Sequence, residues 1–471
     1  ESKYPLHIMQ NEEINVNKSI GDNLKGLSGL SNADYGAAVG QPAIRGLTGN
    51  RTRLLSNNIP INDLSNLSGD HINNIDLNNI SHIEILRGPS SIFNRGGTSG
   101  GIINVITDII SENKYDNEVI KLDYTTVNNG YGHNFLFKKN YLNANIFFSI
   151  NNKHMDNYNI PHGSLLGETG LELSTLANSD HKNQNTSFGL SFPREWGYFG
   201  FSFENTDGVY GLPYHAEEEE EEHRLFTKTE TETYTLKGKF NTVSLFNSID
   251  YSFRNSNSFL KEHEEDGAAS LNSNSTSFTF NFNLDDELYE KRFLLQYGHT
   301  KSPMTAAYLP SSEAYGRSAS YFLRTKNRPY EIDFAARYES NSRDSSSQRY
   351  GDTSLSFGTS LAANLGKSFI YNMNYAHISR SPSVAELFAN GVHGATSRYE
   401  RGNNRISREV SRNIELDLEY NFNDIDVNLN LYRNNINNFI YLKDESTTTS
   451  GKTDATWSQK NTVMQDYEIS M

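Results

Sequence analysis

The chain has 471 residues and a formal net charge of −15, with 27 Tyr and 26 Phe beside 2 Trp and no Cys. The acidic balance argues against a nucleic-acid partner, and the missing thiol excludes disulfides, thiolate metal sites and cysteine catalysis. Mean hydropathy is −0.65 and no apolar run approaches the roughly 18 residues of a membrane helix, so any crossing of a bilayer must use strands with one greasy and one wet face. The first residue is Glu1 rather than Met, so a signal peptide or further chain is expected upstream.

The first region, Glu1 to about Ser111, reads as a small α+β domain. Ile14 to Leu30 reads as a helix start followed by a turn. Thr52 to Leu55 and Ile59 to Ile61 flank Ser56-Asn57-Asn58. Asn tolerates positive φ, so this is a predicted tight turn. Ile80 to Leu86 and Ile102 to Ile106 are apolar runs of the buried-strand type. A boundary near residue 112 divides the chain into an N-terminal domain, 1–112, and a second unit, 113–471.

From about Tyr115 the pattern turns to period two. Val243, Leu245, Ile249, Tyr251 and Phe253 alternate with Ser244, Ser248, Asp250, Ser252 and Arg254. Phe278, Phe280 and Phe282 alternate with Ser277, Thr279 and Asn281, and Phe369, Tyr371, Met373 and Tyr375 follow suit. Ile414, Leu416, Leu418, Tyr420 and Phe422 alternate with Glu415, Asp417, Glu419 and Asn421. After a turn at Asn423-Asp424, Ile425, Val427, Leu429 and Leu431 resume the rhythm. A soluble sandwich would alternate too. Three features favour a membrane barrel. The segments run about 9 to 12 residues, the length of a tilted crossing strand. Aromatics crowd the apolar faces near segment ends. Short connections (Pro193 to Gly197, Asp285 to Glu287) alternate with long ones (Asn205 to Glu230, Ser379 to Ser407), as periplasmic turns and outer loops do. Roughly 15 or 16 such segments fall within the range of outer-membrane barrels.

Four motifs stand in order ahead of this β-pattern. They are Pro42-Ala43-Ile44-Arg45-Gly46-Leu47, then Gly49-Asn50-Arg51-Thr52-Arg53, then Ile83-Glu84-Ile85-Leu86-Arg87-Gly88-Pro89, then Gly100-Gly101-Ile102-Ile103-Asn104-Val105-Ile106. Together they resemble the plug domain of TonB-dependent outer-membrane receptors. Ser379-Arg380-Ser381-Pro382-Ser383 with Glu386-Leu387-Phe388 resembles a strand end of that family's barrel. The resemblance implies a transmembrane antiparallel β-barrel of about 22 strands, filled by an α+β plug. It implies a bacterial outer-membrane location, a monomer amid lipid and lipopolysaccharide, and energy from the TonB-ExbB-ExbD complex. The segment that meets TonB would lie upstream of Ile14 and is not identifiable. With about 15 or 16 strands in hand, the barrel is expected to be incomplete at its C-terminus, because an open edge in lipid is prohibitive. Burying arginine alone is costly, so Arg45 and Arg87 are expected to find carboxylates on plug or barrel. Gly46, Gly88, Gly100 and Gly101 allow tight turns and close backbone approach.

Two further stretches bear on substrate. Ser68-Gly69-Asp70-His71 and Ala389-Asn390-Gly391-Val392-His393-Gly394-Ala395-Thr396 resemble the zinc-uptake, ZnuD-like receptors of this family, although Val392 stands where Pro is usual. The match implies Asp70, His71 and His393 as metal ligands, a donor set that suits Zn²⁺. Zinc is then the transported ligand, as the ion or a small metal chelate, and no prosthetic group is implied. A further carboxylate would come from a barrel loop, and the nearest candidates are Glu262, His263, Glu264 and Glu265. His215-Ala216, six glutamates from Glu217 to Glu222, and His223 form a possible metal-capture loop. The alternative for that run is a solvated acidic loop, and carboxylates alone prefer Ca²⁺ or Mg²⁺. A haem or iron-siderophore receptor is the competing substrate reading, with Tyr399, Arg398 and Arg401 as loop contacts. A passive porin or surface adhesin is the competing class, though a porin has no separate plug. No G-x-S-x-G, H-E-x-x-H or P-loop is present, so an enzyme is not expected.

Overall fold

The computed structural model describes residues 6–36, 38–61, 64, 69, 71–73, 75–163, 173–213, 226–242, 245–264, 267–305, 308–326, 329–366, 368–422 and 425–470. The N-terminal domain carries β1 (Leu6–Gln10), α1 (Ile20–Leu24), β2 (Leu30–Tyr35), β3 (Val39–Ile44), β4 (Thr52–Ser56), β5 (Ile59–Pro60), β6 (Ile80–Leu86), α2 (Gly88–Asn94) and β7 (Gly101–Thr107). Five strands form one sheet in the order β1-β6-β7-β4-β5, with β4 and β7 parallel, and β2 pairs with β3 beside it. β6 and β7 are rich in Ile, interrupted by Ser81, His82 and Glu84 in β6 and by Asn104 in β7, and their apolar side chains are covered on both faces. Ile83, Ile85, Ile103 and Val105 pack under α1 and the β2–β3 hairpin, whereas Leu86 and Ile102 pack with Leu55 on the other side.

Two turns explain their sequences. Ser56 pairs with Ile59 around Asn57 and Asn58, whose φ values are 52° and 64°. That is the two-residue hairpin turn the Asn pair predicts. Ile44 and Leu47 exchange backbone hydrogen bonds of 3.0 and 2.9 Å around Arg45 (φ 52°) and Gly46 (φ 72°). The Arg-Gly pair is thus a second turn of that kind, and it thrusts the Arg45 side chain away from the plug toward the barrel wall. α1 is shorter than the predicted helix start. Ser19 caps it by accepting a bond from Asp22 N at 3.1 Å, and Gly26 follows one residue after its C-cap.

Sixteen strands of nine residues or more, from Asn117–Thr125 to Lys452–Ser470, curl around this domain as an antiparallel barrel. Each pairs with the next, for example Phe253↔Phe278 and then Phe278↔Tyr297, and the ladder between the last two strands shifts register at Ile436/Phe439 and Asp444/Thr448. Apolar side chains mostly face out and polar ones the lumen, except where the plug packs on inward apolar residues such as Leu294, Phe322 and Leu260. In Ser248–Glu264, buried Ser248, Arg254, Ser256 and Ser258 share one parity. Trp196 stacks on Phe240 at 5.1 Å, and Phe192 on Phe199 at 4.8 Å, around the short turn at 195–196. Such an aromatic cluster marks the rim at one membrane face. Among the described residues no ladder joins the first barrel strand to the last. Their outward side chains stand open, with Leu122 at 79% and Ile469 at 64% exposure against 45% for Phe280 on an inner strand.

The strands depart from the predicted lengths, running from nine residues to 25 (Ile425–Thr449). Ser, Thr and Asn continue the ladder outside the apolar belt, where the alternation no longer marks it. Gly197–Gly211 and Phe226–Asn241 therefore take up both ends of the expected 205–230 loop. In the other direction, the apolar alternation overruns its strand. Ser248 opens it, and Leu245 lies exposed in the preceding turn. Val243, Ser244 and the predicted turn Asn423-Asp424 lie outside the described residues. The long connection 379–407 holds structure of its own: a short helix α3 (Val384–Phe388) and a hairpin of Asn390–His393 with Arg398–Arg401. No helix among the described residues is long and apolar enough to cross a membrane, which says nothing of strands.

Candidate metal site between plug and barrel

His71 follows the plug's β4–β5 hairpin and is fully buried. Its backbone is pinned from two sides: Gln41 donates to the His71 carbonyl at 2.7 Å, and Ile72 N donates to the Tyr210 hydroxyl at 3.4 Å. The ring Nδ1 lies 2.9 Å from the Leu64 carbonyl oxygen, which can only accept, so Nδ1 carries a proton. Nε2 then points at Glu262 Oε1, 2.8 Å away on the barrel wall. Glu262 faces the lumen because it shares the parity of Arg254, Ser256, Ser258 and Leu260. His263 has the opposite parity and stacks on Phe226 with centroids 4.3 Å apart. Of the two, only Glu262 meets the plug histidine.

His393 sits on the outer-loop hairpin. Its Nδ1 lies 2.8 Å from Glu400 Oε1, and Thr396 Oγ1 donates to the same oxygen at 3.0 Å. The imidazole lies flat on the Tyr308 ring, with centroids 4.0 Å apart and planes 9° from parallel. His393, Glu400 and Tyr308 are all buried. The hairpin itself is docked by parallel pairing of Arg398–Arg401 with residues 453–456. Glu400 was not among the expected residues. Its signal was a carboxylate seven positions after the histidine across a Gly-Ala-Thr-Ser turn.

The two His–carboxylate pairs approach a common apolar partition. Met304 packs against the cluster of Leu64, Leu260 and Leu271 below His71, and against the cluster of Tyr308, Leu309, Ala385 and Ala389 beside His393. Among the described residues no three His, Asp or Glu side chains gather as one metal cluster. Asp70, His215, Glu217, Glu222, His223 and Glu265 lie outside the described residues. Arg398 and Tyr399 turn to other work: Arg398 pairs with Asp444 at 2.6 Å, and the Tyr399 hydroxyl reaches Asn390 at 3.4 Å.

The motif arginines fasten the plug. Arg45 pairs with Glu415, lies 3.3 Å from Glu468, donates to Asn430 at 2.7 Å and stacks 4.0 Å over the Tyr432 ring. Arg87 reaches the same Glu415 oxygen at 3.1 Å. Burial works against the Arg45 charge, but Glu415, Glu468 and Asp417 outweigh it and hold its pKa above the ordinary arginine value. Arg51 pairs with Glu409, which also accepts from Arg380 at 2.7 Å, and Arg380 grips Glu386 with two bonds of 2.9 Å. Gly101 (φ 135°) permits the close crossing behind β6, since a Cβ there would sit 2.8 Å from the Leu86 carbonyl oxygen.

Comparison with known proteins agrees with this architecture. The family described as TonB-dependent Receptor Plug Domain matches residues 2–102. The family described as TonB dependent receptor-like, beta-barrel matches residues 218–465, more than half the chain. Among solved structures, the haemophore receptor HasR of Serratia marcescens, a double mutant in complex with its haemophore HasA and haem, superposes with a TM-score of 0.81 at 11% identity, covering 98% of this chain and 78% of its own. The copper transporter OprC gives 0.81 at 13% identity, covering 100% and 76%. The siderophore receptor PirA from Pseudomonas aeruginosa gives 0.71 at 17% identity, covering 99% and 82%. At such identities the likeness concerns the fold. Plug, barrel and family match together leave no place for an enzyme or a plugless porin: the chain belongs to the TonB-dependent receptor family, outer-membrane proteins that bind small ligands and take up nutrients with TonB.

Proposed function

We propose that this receptor imports zinc, captured between the plug and the outer loops. The observation that carries the reading is the His71–Glu262 pair, made of one plug residue and one barrel residue. A metal-binding histidine commonly donates its other ring N–H to a carbonyl or carboxylate, which fixes the tautomer. The Leu64 carbonyl does this for His71, and Glu400 holds Nδ1 of His393. In both rings Nε2 becomes the metal-facing nitrogen. Glu262 adds a carboxylate, and Asp70, adjacent to His71 in sequence, adds another. Imidazole and carboxylate suit Zn²⁺, whereas Cu(I) favours sulfur donors and Ca²⁺ favours oxygen alone. A site split between plug and barrel ties cargo binding to plug position. Work done on the plug by TonB, powered through ExbB and ExbD, would separate the halves and release the ion.

The test is calorimetric Zn²⁺ titration of the purified receptor in detergent, beside His71→Ala, Glu262→Gln and His393→Ala. Each variant is expected to bind at least about tenfold more weakly, the loss typical of removing one ligand or its support. Equal affinity in all three removes the site. Haem, followed by its Soret band, is the competing cargo. Haem binding that is lost in His393→Ala, with no zinc binding by the wild type, would replace zinc with haem.

A further inference from the structure

Three arginines near this site do not behave like the plug fasteners. Arg53 on β4, Arg95 at the end of α2 and Arg343 on strand Tyr330–Ser345 converge on a cavity of about 170 Å³ between plug and barrel. Among the described residues, none of the three guanidinium groups makes a hydrogen bond or ion pair. The Arg343 Nη1 atom is buried with no partner at all. Leaving such a donor unpaired forfeits its hydration without replacement, and the loss is greater for a charged group.

The neighbouring carboxylates are already engaged. Glu339 accepts from Arg337 at 2.8 Å, Glu386 is held by Arg380, Glu409 by Arg380 and Arg51, and Asp352 accepts from Ser381 at 2.8 Å. Among the described residues, six arginines thus share four carboxylates, and Arg53, Arg95 and Arg343 line the cavity. The electrostatics agree. Burial first, then Arg95, Arg380 and Arg343, push the Arg53 pKa down to about 9 against the opposing pull of Glu339. A negative ligand would offset the mutual repulsion of these arginines.

The cavity borders the candidate metal site. Leu64, whose carbonyl holds His71, lines it, as do Met304 and Ala385 of the cluster around Tyr308. It also opens a series. A second cavity of about 110 Å³ shares Arg95 and Arg343 and adds Arg317 and Arg337. A third, of about 490 Å³, is lined by Lys237, Arg292 and Arg324 together with Glu84 and Asp250. The three follow the same pair of strands, Tyr289–Ser302 and Ser312–Thr325. They step from Ser302 and Ser312, past Gln296 and Ser318, to Arg292 and Arg324 beside the short turn at 286–288.

We propose that Arg53, Arg95 and Arg343 bind the carboxylates of a small polycarboxylate chelator, so that the metal enters as an anionic chelate along this wall. The inference rests on the metal reading for its cargo but not for its site. The arginine geometry calls for an anion whichever metal, or none, sits at His71. Guanidinium groups suit carboxylate because they offer parallel N–H donors.

The experiment uses the purified receptor, with citrate as the probe. Metal-free citrate, inorganic phosphate and Zn²⁺ alone are titrated separately into wild type, Arg95→Gln, Arg343→Gln and the control Arg349→Gln, whose side chain is 81% exposed. Citrate is expected to bind wild type and the control alike, and at least about tenfold more weakly in the two cavity variants. Zn²⁺ affinity should hold in all four. Should a cavity variant fail to fold, judged by heat-modifiable gel mobility, wild-type citrate affinity is measured against ionic strength, where it should fall steadily with salt. Citrate that does not bind, binds the variants equally or ignores salt overturns the site. Phosphate binding as tightly as citrate overturns the chelator assignment. Absent zinc binding with intact citrate binding strikes the metal reading alone.

Discussion

Glu415 is the hub of the plug's attachment, and removing its charge tests whether the plug is held by that attachment. Its side chain is 1% exposed and meets Arg45 and Arg87, with Asn430 donating at 2.8 Å. Glu415→Gln keeps the shape and deletes the charge. Breaking a buried pair by neutralising one partner costs about 3–5 kcal/mol. Arg45 keeps Glu468 at 3.3 Å, Asn430 at 2.7 Å and the Tyr432 ring, so the lower end applies. A loss of about 3 kcal/mol multiplies the population of detached plug by roughly a hundred. When opening and reclosing are fast, cleavage of the plug by an added protease follows that population. The cleavage rate of Glu415→Gln should rise accordingly. Asp22→Asn, which breaks the surface Lys25–Asp22 pair and leaves an amide oxygen to accept from Ser19 Oγ, is the control and should change it less than about fivefold. A Glu415→Gln receptor cleaved no faster than that control would refute the idea that this cluster holds the plug.

Other consequences are more local. Gly101→Ala puts a Cβ 2.8 Å from the Leu86 oxygen at φ 135°. It should cost about 1–3 kcal/mol of plug stability, seen as lost hydrogen-exchange protection across β7, and full protection would contradict the strain. Tyr308→Ala removes the ring under His393 without touching a ligand. Zinc affinity should fall about threefold to tenfold while Tyr308→Phe stays at wild type, and equal affinities would mean the stack does not orient the imidazole. Asp286, in a turn outside the strands, is held at about 2 by Lys291 first and then by the backbone N–H groups of Leu288 and Tyr289. Its folded pKa lies below the ordinary value of about 3.9, so the turn's stabilisation is complete above about pH 4 and lost as pH falls through about 2. Amide protection of Leu288 and Tyr289 should decline over that window, and constant protection would show that the carboxylate does not hold the turn.

The architecture was legible because it rests on local rules. Asn57-Asn58 and Arg45-Gly46 encode turns by backbone conformation alone, and strand alternation reports a lipid face and a lumen face without any knowledge of partners. The same parity rule selects Glu262 and rejects His263 when counted from Arg254. Strand ends were not legible, since Ser, Thr and Asn pair as well above the apolar belt as within it. Nor was Glu400, because its meeting with His393 depends on the hairpin register around Ser397, which adopts φ 50°. Which of Glu415, Asp417 and Glu419 would meet the plug was equally hidden. The answer depends on where the Arg45 turn projects once both domains are folded. Arg53, Arg95 and Arg343 come from three distant segments, so their cavity has no signature in any one of them.

The plug is attached unequally around its circumference. Against strands Glu409–Phe422, Ile425–Thr449 and Lys452–Ser470 it is held by Arg45, Arg51 and Arg87, with breaking costs of about 3–5 kcal/mol for each buried pair. Against strands Tyr289–Ser302, Ser312–Thr325 and Tyr330–Ser345 the contact is mainly apolar. Ile92 and Phe93 of α2 meet Leu294, Phe322 and Ala335, with one hydrogen bond from Arg337 to the Phe93 carbonyl at 3.2 Å. Burying two such side chains contributes about 3–6 kcal/mol altogether, whereas ion pairs pulled apart into water regain the hydration of both charges, so the two walls are held by different kinds of interaction. The three cavities lie on the apolar side. A plug that tilted away from this side would turn about the Glu415 and Glu409 clusters, which lie on the opposite wall. A passage widened this way would need no unfolding of the β-sheet and would lie beside Leu64, whose carbonyl holds the proposed ligand His71.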